Sequence, residues 1–446
     1  MSGKPLIFLH LSDIHFSKRS GRTGDLDEDV RRELEADALA VRRGFDHFTG
    51  ILVSGDVAFS GQSAEYDTAK AWLNRLCASL GCPPEDVWVV PGNHDVERAE
   101  VRGSFGFQSV RAVLRPADSR AVQGTISRLV GDLATMELVH KPFSNYNIFA
   151  SGYGCQVGGD RLHWQHDLVL NDRSTLRLWG INSALVSGDQ DDENQNRMVI
   201  GTIQSLPPRE DGVTYLAMCH HPLEWIWDRD QVNEDLKARV AVTLFGHKHK
   251  LNVEEVSRTL RVAAGAVHPS RAESEWLPRY NYLAVSVEGS GPKRHLRVGV
   301  WSRLWHDPSR RFRPDYANGG KESETYRLPL PDWQAPESPA AGGGGPTITG
   351  GPPPAVGRSM AVEGRLVNPE RRLAYRFFDL PYSRRMEVVQ VLGLIADEDE
   401  HLREDERYRR YFVRAKEQTQ MHRFWREVET RHADGRPDDN PFPDVK

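Results

Sequence analysis

Five short segments of this sequence set metal-competent side chains directly after apolar runs. Asp13 and His15 follow LIFLHL with the spacing D-x-H, and Asp56 follows ILVS in SGDVAFSG. Asn93, His94 and Asp95 follow VWVV in PGNHD. His220 and His221 follow TYLAMC, and His247 and His249 follow VTLF in GHKHK. Such groups contribute nothing to packing at the end of a buried strand, so their placement asks for a chemical reason. Counting Asp13, Asp56, Asn93, His15, His220, His247 and His249, the donors are oxygens and imidazoles without a thiolate. That mixture suits hard to borderline divalent ions. Seven donors are too many for one ion and right for two if one carboxylate bridges. Two ions about 3.5–4 Å apart stabilise the attacking and leaving oxygens of a phosphoryl transfer. In PGNHD, Asn93 is then a ligand, His94 faces the substrate, and Asp95 orients or polarises His94. A single D-x-H caps a helix as readily as it binds metal, and a single H-x-H fits a half-buried strand. The five segments together, each at a strand end, favour the metal centre.

The elements that would hold these residues are legible as hydrophobic periodicity. Leu6 to Leu11, Ile51 to Ser54 and Val87 to Val90 read as buried strands, with helices over Leu26 to Arg43 and Ser63 to Leu80, the latter capped by Ser63. That alternation predicts a parallel sheet with helices outside, and ligand sites gather beyond the carboxyl ends of such strands. Gly55, Gly92 and Gly246 allow sharp turns beside the donors. Residues 98–160 read as an insertion and possible lid, helical at Val110 to Leu114 and Ile126 to Val139 and looped from Lys141 to Gly154. Further runs at Leu176 to Ile181, Thr214 to Cys219, Val240 to Phe245, Thr259 to Ala263, Tyr282 to Val287 and Leu296 to Trp301 predict a second sheet with antiparallel pairs. Residues 1–333 thus form an α/β catalytic unit, and 334–358 a Pro/Gly-rich linker that cannot bury a core. Residues 359–432 form a small all-α bundle with a helix capped by Ser383, and 433–446 a frayed tail.

The motifs SDIHF, SGDVAFSG, PGNHD, CHHPL and GHKHK resemble those of the calcineurin-like metallophosphoesterases over about residues 5–303. The resemblance implies an α/β fold with a β-sandwich flanked by helices. It implies that Asp13, His15 and His249 hold one ion, that Asn93, His220 and His247 hold the other, and that Asp56 bridges them. Manganese is the expected metal, with iron or zinc as alternatives. His94 is the implied catalytic acid. His221, Asn182 and His268 are candidates for substrate contact, with a purely structural role as the rival reading of His268. The chain lacks the GDxxDRG motif of protein phosphatases, since Ala58 and Phe59 stand where that acid would begin. The form SDIHF with GDVAFSG and HHPL looks closer to the cyclic-nucleotide and glycerophosphodiester branch of the family. Trp225, Trp227, Trp276 and Tyr280 are candidates for base stacking, although most such rings belong to cores. Arg271 and Arg279 are candidate phosphate contacts.

Composition narrows the class. With 58 basic and 63 acidic residues the net charge is −5, which excludes a strongly basic nucleic-acid coat but not a metal-dependent nuclease. The N-terminal apolar run is too short for a signal segment, and no run of about 18 apolar residues suggests a membrane span. The four cysteines lack paired spacing and read as reduced thiols of a cytoplasmic protein. The stretch from Leu373 to Glu429 resembles the effector-associated, death-like adaptor domains of bacterial conflict systems, through its DLPY lead, VLGLI helix and FWREVE end. That resemblance implies a partner protein with a matching bundle, a protease or an NTPase being the expected carrier. The favoured reading is a phosphodiesterase effector that cleaves DNA or RNA in a defence system. The alternatives are a cyclic-nucleotide or other small-molecule phosphodiesterase and a non-catalytic scaffold.

Overall fold

The computed structural model describes residues 4–21, 25, 27–115, 118–159, 161–188, 197–248, 251–269, 277–316, 321–335, 361–362, 365–366 and 368–444. His249, Arg271, Trp276 and residues 336–358 of the expected linker lie outside the described residues.

Two sheets face one another. The first contains β1 (Leu6–Leu11), β2 (Gly50–Val53), β3 (Val87–Val89) and, from the far end of the α/β unit, β10 (Arg279–Glu288), β11 (His295–His306), β12 (Arg311–Pro314) and β13 (Glu324–Pro329). Its order is β12-β11-β10-β1-β2-β3, with β13 also paired to β11. The second contains β4 (His163–Val169), β5 (Thr175–Ile181), β6 (Val213–Cys219), β7 (Val240–Phe245), β8 (Leu251–Val256) and β9 (Thr259–Ala264), in the order β4-β5-β6-β7-β9-β8. Strands β1, β2 and β3 run parallel, as do β5, β6, β7 and β9. Strand pairs at the remaining edges are antiparallel. Phe8, Trp88, Leu178, Leu216, Leu244, Val262 and Tyr282 are buried in one core that includes strands of both sheets. Strands β4, β8, β12 and β13 escaped the sequence reading. They are edge or near-edge strands whose mixed polarity hides a hydrophobic run.

Helices cover the outer faces: α1 (Glu28–Arg42), α2 (Ser63–Leu80), α3 (Arg98–Gly103), α4 (Phe105–Leu114), α5 (Val122–Val130), α6 (Leu133–His140), α7 (Ser144–Ser151), α8 (Thr202–Ser205) and α9 (Arg229–Arg239). Ser63 is not the cap of α2. Gln62 takes the N-cap position, and its N–H donates to Glu65 at 3.1 Å. The run from Ile126 to Val139 is two helices, because Gly131 and Asp132 interrupt it and the Asp132 carboxylate caps α6. The expected loop from Lys141 to Gly154 is largely helical. Tyr146, Phe149 and Ala150 are buried there, so packing overrides weak local propensity. Helices α5 and α6 bury Ile126, Leu129, Met136 and Val139 in a second core with Trp179, Tyr215 and Leu236.

The C-terminal bundle comprises α10 (Pro369–Asp379), α11 (Tyr382–Val391), α12 (Glu404–Glu417) and α13 (Met421–Glu429). Its core gathers Leu373, Phe377, Val388, Tyr408, Tyr411, Phe424, Trp425 and Val428. Asn368 caps α10 from its side chain, while Ser383 lies inside α11 and caps nothing. The tail expected to fray is tied back: Asn440 donates to the His422 carbonyl at 2.8 Å and Phe442 packs on Trp425.

The bundle rests on the α/β unit. Arg371 on α10 is 7% exposed and lies 4.6 Å above the Trp88 ring. Its guanidinium donates to the carbonyls of Tyr153 and Val87, both at 3.1 Å, and to that of Glu85. Strand β3 ends its sheet, so its outward carbonyls need partners, and Arg371 satisfies one of them. Tyr375 donates to Asn74 at 2.8 Å, Lys70 pairs with Asp379 at 3.0 Å, and Asn147 donates to Asp405 at 3.1 Å.

Candidate metal centre

The parallel strands of both sheets deliver their carboxyl ends to one place. Asp13, Asp56 and Asn93 follow β1, β2 and β3, while His220 and His247 follow β6 and β7. The loops after β1 and β2 are zipped together by main-chain hydrogen bonds from Asp13 to Gly55, from Ile14 and His15 to Asp56, and from Phe16 to Val57, at 2.9–3.1 Å. Within the second sheet the N–H of Gly246 donates to the His220 carbonyl at 3.0 Å, and across the sheets that of His247 donates to the Asp13 carboxylate at 3.0 Å.

Asp13, His15, Asp56 and His247 all hold φ between 53° and 67°, the left-handed region that non-glycine residues avoid. Such positions cost on the order of 1–3 kcal/mol each and persist only when the surroundings over-determine them. The motif glycines are needed for room. A Cβ on Gly92 would stand 2.1 Å from Oδ1 of Asp56, and one on Gly246 would stand 2.0 Å from Oγ of Ser12. Only Gly55 has a positive φ among the three, and a side chain there would also strike His220.

The donor atoms converge in three overlapping groups, His15–Asp56–His94, Asp13–Asp56–His220 and His220–His221–His247, each with its atoms within 4.8 Å of one another. Asp56 joins the first two groups and His220 the last two. Asn93 enters through its Oδ1, 3.2 Å from Nε2 of His220. Nδ1 of His220 lies 2.8 Å from the Ser54 carbonyl, which can only accept, so that nitrogen carries the proton and Nε2 turns toward Asp56 at 3.2 Å. Burial disfavours an imidazolium at His220, yet the charge of Asp56 outweighs it and lifts the pKa to about 9. Burial likewise works against the Asp56 carboxylate, and the charges of His220, His94 and His15 hold its pKa well below the ordinary range. His221 is fully buried, with Nδ1 held by Ser183 at 2.9 Å and Nε2 without a hydrogen-bond partner among the described residues. An orphaned imidazole nitrogen beside buried carboxylates and further imidazoles is what a site for divalent cations requires. The residues therefore fit such ions, and Asp13, His15, Asp56, Asn93, His220, His221 and His247 are among the described residues that could hold them.

Three residues take structural contacts in place of the expected ones. Asp95 does not touch His94. Its carboxylate accepts from the N–H groups of Ala58 at 2.9 Å and Gly92 at 2.9 Å and from the Tyr66 hydroxyl at 3.0 Å. It thereby clamps the Asp56 loop to the Asn93 loop. Burial and the charge of Asp56 push its pKa up to about 6 against those donors. His94 is instead fixed through Nδ1 to the Phe59 carbonyl at 2.8 Å, and its N–H donates to Asp56 at 2.8 Å. His268 braces the back of the site. Its N–H donates to the Asp13 carbonyl at 3.0 Å, and Nδ1 lies against the Ile14 carbonyl. Asn182 is buried and caps a turn through Ala184.

Of the candidate stacking rings, Tyr280 is buried against Asp37, and Trp227 packs with the second core. Trp225 lies 4.2 Å from the His247 ring. Arg279 is paired with Asp315. Sequence reasoning missed Phe59 and Tyr66 as site residues. The only available signal was their proximity in sequence to Asp56.

Among known proteins, residues 6–251 match the calcineurin-like phosphoesterases and residues 369–430 match the GTPase-associated adaptor domain. A Bacillus subtilis (strain 168) protein, the uncharacterized metallophosphoesterase-like protein YydB, is 25% identical over 311 residues, covering 66% of this chain. The chain spans 59% of that relative's length. Vps29 of Entamoeba histolytica, solved with zinc, is 12% identical, covering 72% of this chain and 99% of its own, with a TM-score of 0.29. The purple acid phosphatase PPD1 of yellow lupin is 11% identical, covering 76% of this chain and 58% of its own, with a TM-score of 0.38. Likeness at this level carries no argument about activity. Among the described residues no helix is long and apolar enough to cross a membrane. With its family match spanning more than half of the sequence, the chain belongs to the calcineurin-like phosphoesterases.

Proposed function

We propose that this chain is a phosphodiesterase effector that uses two divalent ions, manganese foremost, to cleave nucleic acid. The observation that carries the reading is the strained convergence of Asp13, His15, Asp56 and His247, with Asn93 and His220, at the joined carboxyl ends of the two sheets. Bound ions would supply an activated water and neutralise charge on the phosphoryl oxygens. His249 would complete the donor set. The chain's own groups do the rest. Asp56 fixes the main chain of His94. With Nδ1 committed to Phe59, His94 presents Nε2 to the substrate, to hold a non-bridging oxygen or to protonate the leaving alkoxide. Asp95 acts as a positioning residue for the two loops that carry Asp56 and Asn93.

The match of residues 369–430 to a GTPase-associated adaptor domain supports a protein partner for the bundle. We place that partner among NTPases or proteases carrying a matching bundle, in a cytoplasmic defence setting. The test is a gel of plasmid DNA and single-stranded RNA incubated with Mn²⁺ and the full chain or its Asp56→Ala variant. Cleavage by the first and not the second is expected. Intact polymers, with metal bound and small diesters hydrolysed, would replace nucleic acid by a small-molecule substrate.

A further inference from the structure

Phe59 is 51% exposed, yet it is not on a loose loop. Its N–H donates to the Phe16 carbonyl at 2.8 Å and its carbonyl holds His94 at 2.8 Å. Its ring lies 5.3 Å from that of His94 and 6.1 Å from that of His15. Trp225 stands at the other group of donors. It is half-buried, 4.2 Å from the His247 ring and 6.2 Å from that of His221. Its turn is also fixed, because the Trp225 carbonyl accepts from Met198 at 3.0 Å and its N–H donates to Pro222 at 2.9 Å. One aromatic ring thus marks the His15–Asp56–His94 group and another the His220–His221–His247 group.

From this arrangement we infer that Phe59 and Trp225 form two base-stacking subsites, one on each side of the scissile phosphate, and that the substrate is single-stranded nucleic acid. The inference rests on the phosphodiesterase reading above. A phosphodiester extends two arms away from phosphorus. In a single strand each arm carries a base with an open face, whereas a cyclic nucleotide offers one base and a duplex keeps its faces stacked on neighbours. Base stacking on aromatic side chains is tolerant of sequence.

The test measures anisotropy of a labelled oligothymidylate and of an equally long abasic oligomer, both with phosphorothioate linkages to suppress cleavage, on the full-length, metal-loaded protein. Phe59→Ala and Trp225→Ala, added separately, are each expected to weaken the base-bearing oligomer about 5- to 150-fold. Binding of the abasic oligomer should stay within about twofold, and Phe59→Trp should retain base-dependent binding. Equal weakening for both oligomers, no weakening, no binding of either, or a duplex bound as tightly as the single strand would each overturn the inference. Hydrolysis of bis(4-nitrophenyl) phosphate by the otherwise unaltered enzyme separates the two readings. Hydrolysis without base dependence removes the subsites alone. Base-dependent binding without hydrolysis removes the phosphodiesterase and leaves the subsites.

Discussion

The candidate metal centre and the contact between the bundle and the α/β unit are both polar assemblies buried between distant parts of the chain, but they are built oppositely. At the centre, each strand end supplies a compact word, such as PGNHD, and the main chain is bent to present it. Strain is concentrated there and is held by neighbours: Asp95 clamps two loops and Gly92 leaves room for Asp56. At the bundle contact there is no word. Arg371, Tyr375, Lys70 and Asn147 each act singly, from ordinary helices, on partners far away in sequence. Selection for chemistry fixes geometry to within fractions of an ångström, whereas docking needs only complementary partners.

That contrast gives tests of unequal size. The largest effect is expected from Gly92→Ala. The added Cβ must displace Asp56 and the loop main chain, so hydrolysis should fall by about a hundredfold or more. A metal-content assay should show the loss of bound ion. Wild-type turnover in this variant would mean that the centre tolerates the imprecision the bundle contact tolerates.

Arg371→Ala attacks the other region. It strands the Val87 and Tyr153 carbonyls and removes the cation from Trp88, which should cost about 3 kcal/mol. Calorimetry should show the bundle separating in an earlier transition, while turnover of a small diester changes little. A single unshifted transition would show that the contact does not depend on this residue.

Acid should weaken both regions. Burial lowers the pKa of His10, which lies against Ser54 behind the centre, to about 3. Near the bundle, burial and then the charge of Arg371 lower that of His166 to about 3, and burial and then Arg403 lower that of His140 to about 4. All three are lowered in the folded state, so the unfolded chain binds more protons below about pH 6.5. Stability is therefore full above that pH and declines as pH falls toward the folded values. At pH 6 the loss should be about 2 kcal/mol, read as a lower denaturation midpoint. A midpoint unchanged from pH 7 to 6 would argue that these rings are not buried neutral.

Tyr66→Phe should have the smallest effect, about 1 kcal/mol, through loss of the hydroxyl donated to Asp95. Chemical denaturation would measure it. A far larger loss would mean that the clamp depends on this one bond.

How much was legible follows from the same contrast. The strands that carry the donors were readable because strands buried on both faces are continuous apolar runs. Edge strands such as β4 and β13 mix polarity, and α7 owes its helix to the burial of Tyr146 and Phe149. Adjacency in sequence points Asp95 at His94, whereas its donors come from residues 57–66 and Gly92.

By itself the sequence determined which groups were available for chemistry, their order and the strand ends that bear them, because side-chain type and hydrophobic period are local properties. Only the tertiary structure decided that Asp95 serves loops instead of a histidine, that Phe59 stands exposed beside His94, and that Arg371 docks on the β3 edge. Each of those outcomes depends on which distant backbone groups are left needing a partner once the sheets have paired, and no local pattern records that.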